Sequence, residues 1–246
     1  MEEDKASNAM ITDTLIMEHW QKAYDYSVKL FDQLAKDTKR KAFPEDYDVW
    51  ALSALKIGDI EKGAHVYRTY IEFEPSKAPE IYGMLAKHYY DAKNYPQAIA
   101  YYTRRMETNP LTNAEEYYFG LAQYYNKQYV EADSSFAKVL RATPNYATGH
   151  LMRARIAQRI DSTNTLFLPK PHWEKYIEFA SVDPVRNKNG LVEAYTYLAV
   201  YYVQNDDLKT GEEYFEKLLA IDPQDEFARQ SLDSLEELKK SKGQKK

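Results

Sequence analysis

Apolar and small residues recur at helical spacing along most of the chain, in paired blocks separated by short polar turns. One block carries Tyr47, Trp50, Ala51 and Ala54, a turn at Ile57-Gly58-Asp59, then Gly63, Tyr67 and Tyr70, closed by Pro75. The next carries Tyr82, Leu85, Ala86 and Tyr89, a turn near Lys93-Asn94-Tyr95, then Ala98 and Tyr102, closed by Pro110. A third carries Phe119, Gly120 and Tyr124, a turn near Asn126-Lys127, then Tyr129, Ala132, Phe136 and Val139, closed by Pro144. Pro110 follows Pro75 by 35 residues, and Pro144 follows Pro110 by 34. A fixed period of about 34 residues predicts stacked helix-turn-helix units. In each unit a small residue lets the paired helices approach, large aromatics fill the space between units, and the proline ends the second helix.

The same pattern returns as Tyr195, Leu198, Ala199 and Tyr202, a turn at Asn205-Asp206-Asp207, then Gly211, Phe215, Leu218 and Pro223. Between Pro144 and Pro223 lie 79 residues. Two periods account for about 68, so the unit between them carries roughly 11 more. Its first helix is expected at His150–Ile160, with Ala154 as the small contact residue, and its second at His172–Ala180, with Tyr176 and Phe179, closed by Asp183-Pro184. The extra length falls at Asp161–Pro171 and at Val185–Gly190. Five units are thus expected, at about 44–77, 78–112, 113–146, 147–190 and 191–225. Residues 1–43 are expected to hold a disordered start and a capping helix or partial repeat at Thr12–Lys39. Residues 226–246 are expected to form a polar-faced capping helix and a disordered basic tail from Lys239. Such caps cover the apolar faces of end units.

Composition narrows the function. The 246 residues carry a net charge of −5, which argues against a general nucleic-acid binder, since phosphates call for a basic face. A mean hydropathy of −0.70 and the lack of a long apolar run argue against a membrane-spanning chain. Without cysteine there can be no disulfide, thiolate zinc site or cysteine nucleophile. The start, Met1-Glu2-Glu3-Asp4-Lys5, lacks the apolar core of a signal peptide. Ser7-Asn8-Ala9-Met10 resembles a tag scar before a second start, so a periplasmic or otherwise exported location is favoured if a native leader was removed there, and a cytoplasmic one if not.

No nucleophile elbow, phosphate-cradling glycine loop or metalloprotease helix is present, so no catalytic residue and no cofactor is expected. Of the five histidines, His88 and His150 are followed four residues later by alanines, and His65 has Glu61 but no third ligand, so no metal site is expected.

These residues and spacings resemble the tetratricopeptide repeat family, over about Pro44–Asp225, and within it bacterial tandem-repeat proteins with tyrosine-rich units. The fourth unit departs, with Arg153 in place of a large apolar residue before Ala154. The resemblance implies an all-α, right-handed α-α superhelix whose concave face is lined by the first helix of each unit. It implies a non-catalytic module or scaffold that holds a protein or peptide partner there, or else a segment of a larger exported array serving envelope assembly or binding a non-protein ligand. Stepping around the first helices puts Met84, Lys87, Tyr117, Leu121, Met152, Arg155, Thr196 and Val200 on that face. Tyr118 and Tyr197 lie off the framework, as groove or plain surface residues. Lys87, Arg155 and Arg159, with Arg153, form either a basic strip for an acidic partner or an ordinary solvated face. A subgroup of the family grips terminal carboxylates with Asn and Lys. The matching places here hold Asp48 and Leu52, then Gly83 and Lys87, so that clamp is not expected. Leu166, Phe167 and Leu168 either fold back over the neighbouring unit or form a partner contact.

Overall fold

The computed structural model describes residues 2–37 and 39–243, with side chains described for 14–37 and 39–240. Among the described residues there are twelve α-helices and no strand, as the all-α reading expects. Helix α1 spans Glu2–Leu34, so it takes in the stretch expected to be disordered and stops short of Lys39. The repeat pairs follow as α2 (Pro44–Lys56) with α3 (Ile60–Phe73), α4 (Ala78–Asp91) with α5 (Tyr95–Thr108), and α6 (Asn113–Tyr125) with α7 (Tyr129–Ala142). Then come α8 (Ala147–Ile160) with α9 (Lys170–Ala180), α10 (Lys188–Gln204) with α11 (Leu208–Ile221), and the terminal α12 (Glu226–Gly243). Part of the tail expected to be disordered is therefore helical, and residues 244–246 of that tail lie outside the described residues.

Four of the pairs share one turn. Gly58, Lys93, Lys127 and Asp206 adopt left-handed backbone, with φ of 89°, 60°, 63° and 61°. The next residue then returns its N–H to a carbonyl of the preceding helix, as in Asp59 to Ala54, Asn94 to Tyr89, Gln128 to Gln123 and Asp207 to Tyr202. In three of these turns that residue also caps the following helix. Asp59 accepts from the Lys62 N–H, Asn94 from Gln97 and Asp207 from Thr210. The fourth pair has no such turn. The loop Asp161–Pro169 replaces it, and α9 begins at Lys170, with Pro171 inside its first turn. The second insertion is partly absorbed by α10, whose 17 residues exceed the 14 of α8.

The chain forms two compact units, 1–122 and 123–246. In the first, Phe31 of α1 stacks on Trp50 at 4.3 Å and meets Tyr47 edge-on at 4.8 Å, which is how α1 covers the first repeat. Its core joins Leu55, Tyr67, Leu85, Tyr89, Tyr102 and Phe119 across successive pairs. The second unit is built around Trp173, Tyr176, Leu191 and Leu198, with Phe215, Leu218 and Leu235 tying α12 onto α10 and α11. The small framework residues Ala51, Ala86, Ala154 and Ala199 are fully buried, as close helix approach requires.

Candidate functional site

In the first unit the expected groove residues are largely committed to the fold. Leu121 is buried, and Met84 and Tyr118 pack against the core. Lys87 Nζ sits 2.6 and 2.8 Å from the two carboxylate oxygens of Asp91, one turn on, and 4.5 Å from the Tyr118 ring centre. Tyr118 meets Tyr90 at 5.3 Å and Tyr117 at 5.5 Å between ring centres. Lys87 is thus a neutralised cation on an aromatic shelf. Asp48, in the clamp position, accepts a hydrogen bond from the Tyr67 hydroxyl at 3.0 Å.

In the second unit, Tyr124 and Tyr125 at the end of α6, Arg155, Gln158 and Arg159 on α8, and Glu193 on α10 line a cleft of about 520 Å³. Arg155 and Arg159 share one face of α8 because they are four residues apart. Arg155 donates through Nε to one Glu193 oxygen at 2.9 Å and through Nη2 to the other at 2.6 Å. This two-point pair, formed with Glu193, raises the Arg155 pKa above the usual value, against the opposing effect of burial. Arg159 is exposed and lies beside the Tyr124 phenol, whose interaction with it raises its pKa above the usual value. The structure therefore brings Arg155 and Arg159 together.

It does not bring Met152 or Tyr197 with them. Met152 is buried, and the Tyr197 hydroxyl donates to Asn164 Oδ1 at 2.6 Å, pinning the insertion onto α10. Phe167 completes that attachment by meeting Tyr201 edge-on at 4.8 Å, so this part of the loop folds back. Arg153 is drawn away from the cleft too, because both oxygens of Asp133 accept from it at 2.7 and 2.8 Å. Sequence reasoning missed Tyr125, Gln158 and Glu193. Its one available signal was the periodicity of the first helices, which puts Gln158 beside Arg155 on α8. It also took Tyr124 as framework. The buried residue is its neighbour Gln123, whose side-chain oxygen accepts from the Ser135 hydroxyl at 2.9 Å.

His172 marks the second departure of the fourth pair. It lies four residues before the aromatic Tyr176, the offset held elsewhere by Gly63, Ala98, Ala132 and Gly211. Burial first, then the Arg153 guanidinium, hold its imidazole down from 6.5 to about 4, with His150 adding to this and Asp133 opposing it. A base with a lowered folded pKa binds fewer protons folded than unfolded. Stability is thus complete above about pH 6.5 and is lost as pH falls from there through 4. The ring keeps some solvent access, so the expected loss is on the order of 1–2 kcal/mol. Thermal unfolding from neutral to acid pH should show a shallower decline for His172→Gln than for the native chain. Identical profiles would remove His172 as a cause.

Family profiles described as tetratricopeptide repeat match residues 49–106 and 192–225. The crystal structure of the C-terminal part of a tetratricopeptide repeat-containing protein from Cytophaga hutchinsonii is similar over 90% of this chain and 98% of its own, at 26% identity and a TM-score of 0.67. This chain is a tetratricopeptide repeat protein. YrrB, described as a repeat protein with an unusual peptide-binding site, aligns with 82% of this tetratricopeptide repeat chain and 96% of its own, at 14% identity and a TM-score of 0.55. MamA from Desulfovibrio magneticus aligns with 74% of this chain and 97% of its own, at 17% identity and a TM-score of 0.54. These two likenesses are of fold. No curated protein sequence matches the chain. The tetratricopeptide repeat is a non-catalytic interaction fold. Among the described residues, no helix is long and apolar enough to cross a membrane.

Proposed function

We propose that this chain is a protein-interaction module that holds an extended peptide in the cleft between α6, α8 and α10, on the face expected to be concave. One observation carries the reading: a cleft of about 520 Å³ opens among the first helices of successive repeats. That volume lies in the range of ligand clefts. Its lining offers phenol rings for apolar contact and an amide and guanidinium groups for backbone carbonyls, and it contains no imidazole or aliphatic hydroxyl to serve as base or nucleophile. The peptide-binding site in the description of YrrB points the same way. Affinity capture from the source organism with the native chain and with Arg155→Glu plus Arg159→Glu tests it. A partner held by the native chain and lost from the variant supports the cleft. The same partners at the same yield would move the site elsewhere.

A second reading is a segment of a larger exported array, serving envelope assembly or holding a non-protein ligand. It draws on the likeness to the C-terminal part of a longer repeat protein. A leader at the start of the full gene would support export, and a start without one would overturn it.

A further inference from the structure

The two arginines of the cleft stand one turn apart on α8 and are held differently. Arg155 is bonded at two points to Glu193, which fixes its plane and cancels its charge. Arg159 is exposed, and its partner is the neutral Tyr124 phenol. Six residues line the cleft, among them two guanidinium groups and one carboxylate. One positive charge is left over, and it sits at Arg159.

We propose that the Arg159 end of the cleft is a subsite for an acidic side chain, Asp or Glu, of the bound peptide. This rests on the reading of the cleft as a peptide site. A guanidinium presents a fork of donors, and a phenol meets it with one uncharged oxygen. An incoming carboxylate offers two oxygens and the opposite charge, so it takes the place of the Tyr124 hydroxyl, which turns to water. Arg155 is not the receiving group, because its fork is already filled and Glu193 would have to leave a half-buried cation behind. The rings of Tyr124 and Tyr125, 5.4 Å apart between centres, also line the cleft and offer apolar cover to the residue beside the acid. A basic side chain meets like charge there, and a neutral amide gains no charge compensation.

The test uses the full chain and short peptides selected against it from a display library. Enriched peptides are resynthesised with each acid changed to its amide, and with free or amidated C-termini, and their affinities are measured by fluorescence anisotropy. The expected result is that the amide change weakens binding about fivefold at low salt and less at high salt, as befits an exposed pair. Arg159→Gln should abolish the difference between acid and amide peptides. Tyr124→Phe should strengthen the acidic peptides alone, because the competing hydroxyl is gone. Equal binding of acid and amide forms, still lost with Arg155→Glu plus Arg159→Glu, overturns the acidic subsite and leaves the peptide cleft standing. Loss of binding on amidating the C-terminus alone assigns the carboxylate to a chain end and overturns the side-chain assignment. If no peptide is enriched, or only neutral oligosaccharides bind, both readings fall.

Discussion

Trp173→Ala is expected to destabilise the second compact unit by about 3–5 kcal/mol, the range for emptying a fully buried indole site. Trp173 is the largest fully buried side chain among the described residues. It meets Tyr176 edge-on at 6.1 Å and Tyr197 at 6.4 Å between ring centres, within a core shared by Ala154, Leu191 and Leu198. It thus joins α8, α9 and α10, the three helices on either side of the irregular loop. The surrounding alanines have no larger rotamer with which to fill the gap, so collapse is limited. Its indole N–H has no hydrogen-bond partner, so the loss is of packing rather than of a polar bond. Trp173→Phe keeps most of the ring and removes that orphan donor, so it should cost much less. Calorimetry should show the lower transition of Trp173→Ala moving down by roughly 10 °C. Repeat arrays need not unfold in one step, so hydrogen exchange should place the loss in α8 to α10. A variant as stable as Trp173→Phe would show that the site collapses freely and that this core does not depend on the ring.

Trp173 also shows where the sequence could and could not be read. The closing prolines, the small residues before each aromatic and the turn residues place four regular pairs, because those features are local and obey one period. The fourth pair breaks the period, and there the offsets mislead. His172 holds the small-residue place, while Trp173, one position later, enters the core. Gln123 is inside and Tyr124 is on the cleft for a similar reason: one residue of helical rotation decides which neighbour faces the partner. The candidate site was legible as a face and as two arginines. The bond from Arg155 to Glu193 joins residues 38 apart, and it depends on how successive pairs are inclined, which spacing along the chain does not encode.

Asp161→Ala is expected to release the insertion at a cost of about 2–3 kcal/mol, since it removes the one acceptor shared by three backbone N–H groups of the loop. The Asp161 carboxylate is buried and accepts three backbone N–H groups: Thr165 at 3.0 Å, Leu166 at 3.1 Å and Leu168 at 3.3 Å. Charged acceptors of this kind make the stronger class of hydrogen bond. The bonds hold the loop in a conformation the chain would not choose alone, with left-handed backbone at Asn164 and at Phe167, both at φ 53°. For a bulky residue such as Phe167 that backbone costs roughly 1–2 kcal/mol. Without the carboxylate, the strain is relieved by letting the loop go, and the cost is capped at the free energy of local opening. The Tyr197 hydroxyl then loses Asn164, and Phe167 leaves Tyr201. Asp161→Asn retains one acceptor oxygen and should fall between the native chain and the alanine variant. Amide exchange at residues 165, 166 and 168 should rise in that order of variants, with α11 and α12 unchanged. The same change reaches the cleft, because Arg159 and Gln158 occupy the last turn of α8, directly before Asp161. Loosening that turn should weaken binding of an acidic peptide without removing any cleft side chain. If exchange in the loop rises and affinity holds, the loop is a self-contained staple and the cleft is set by α8 alone.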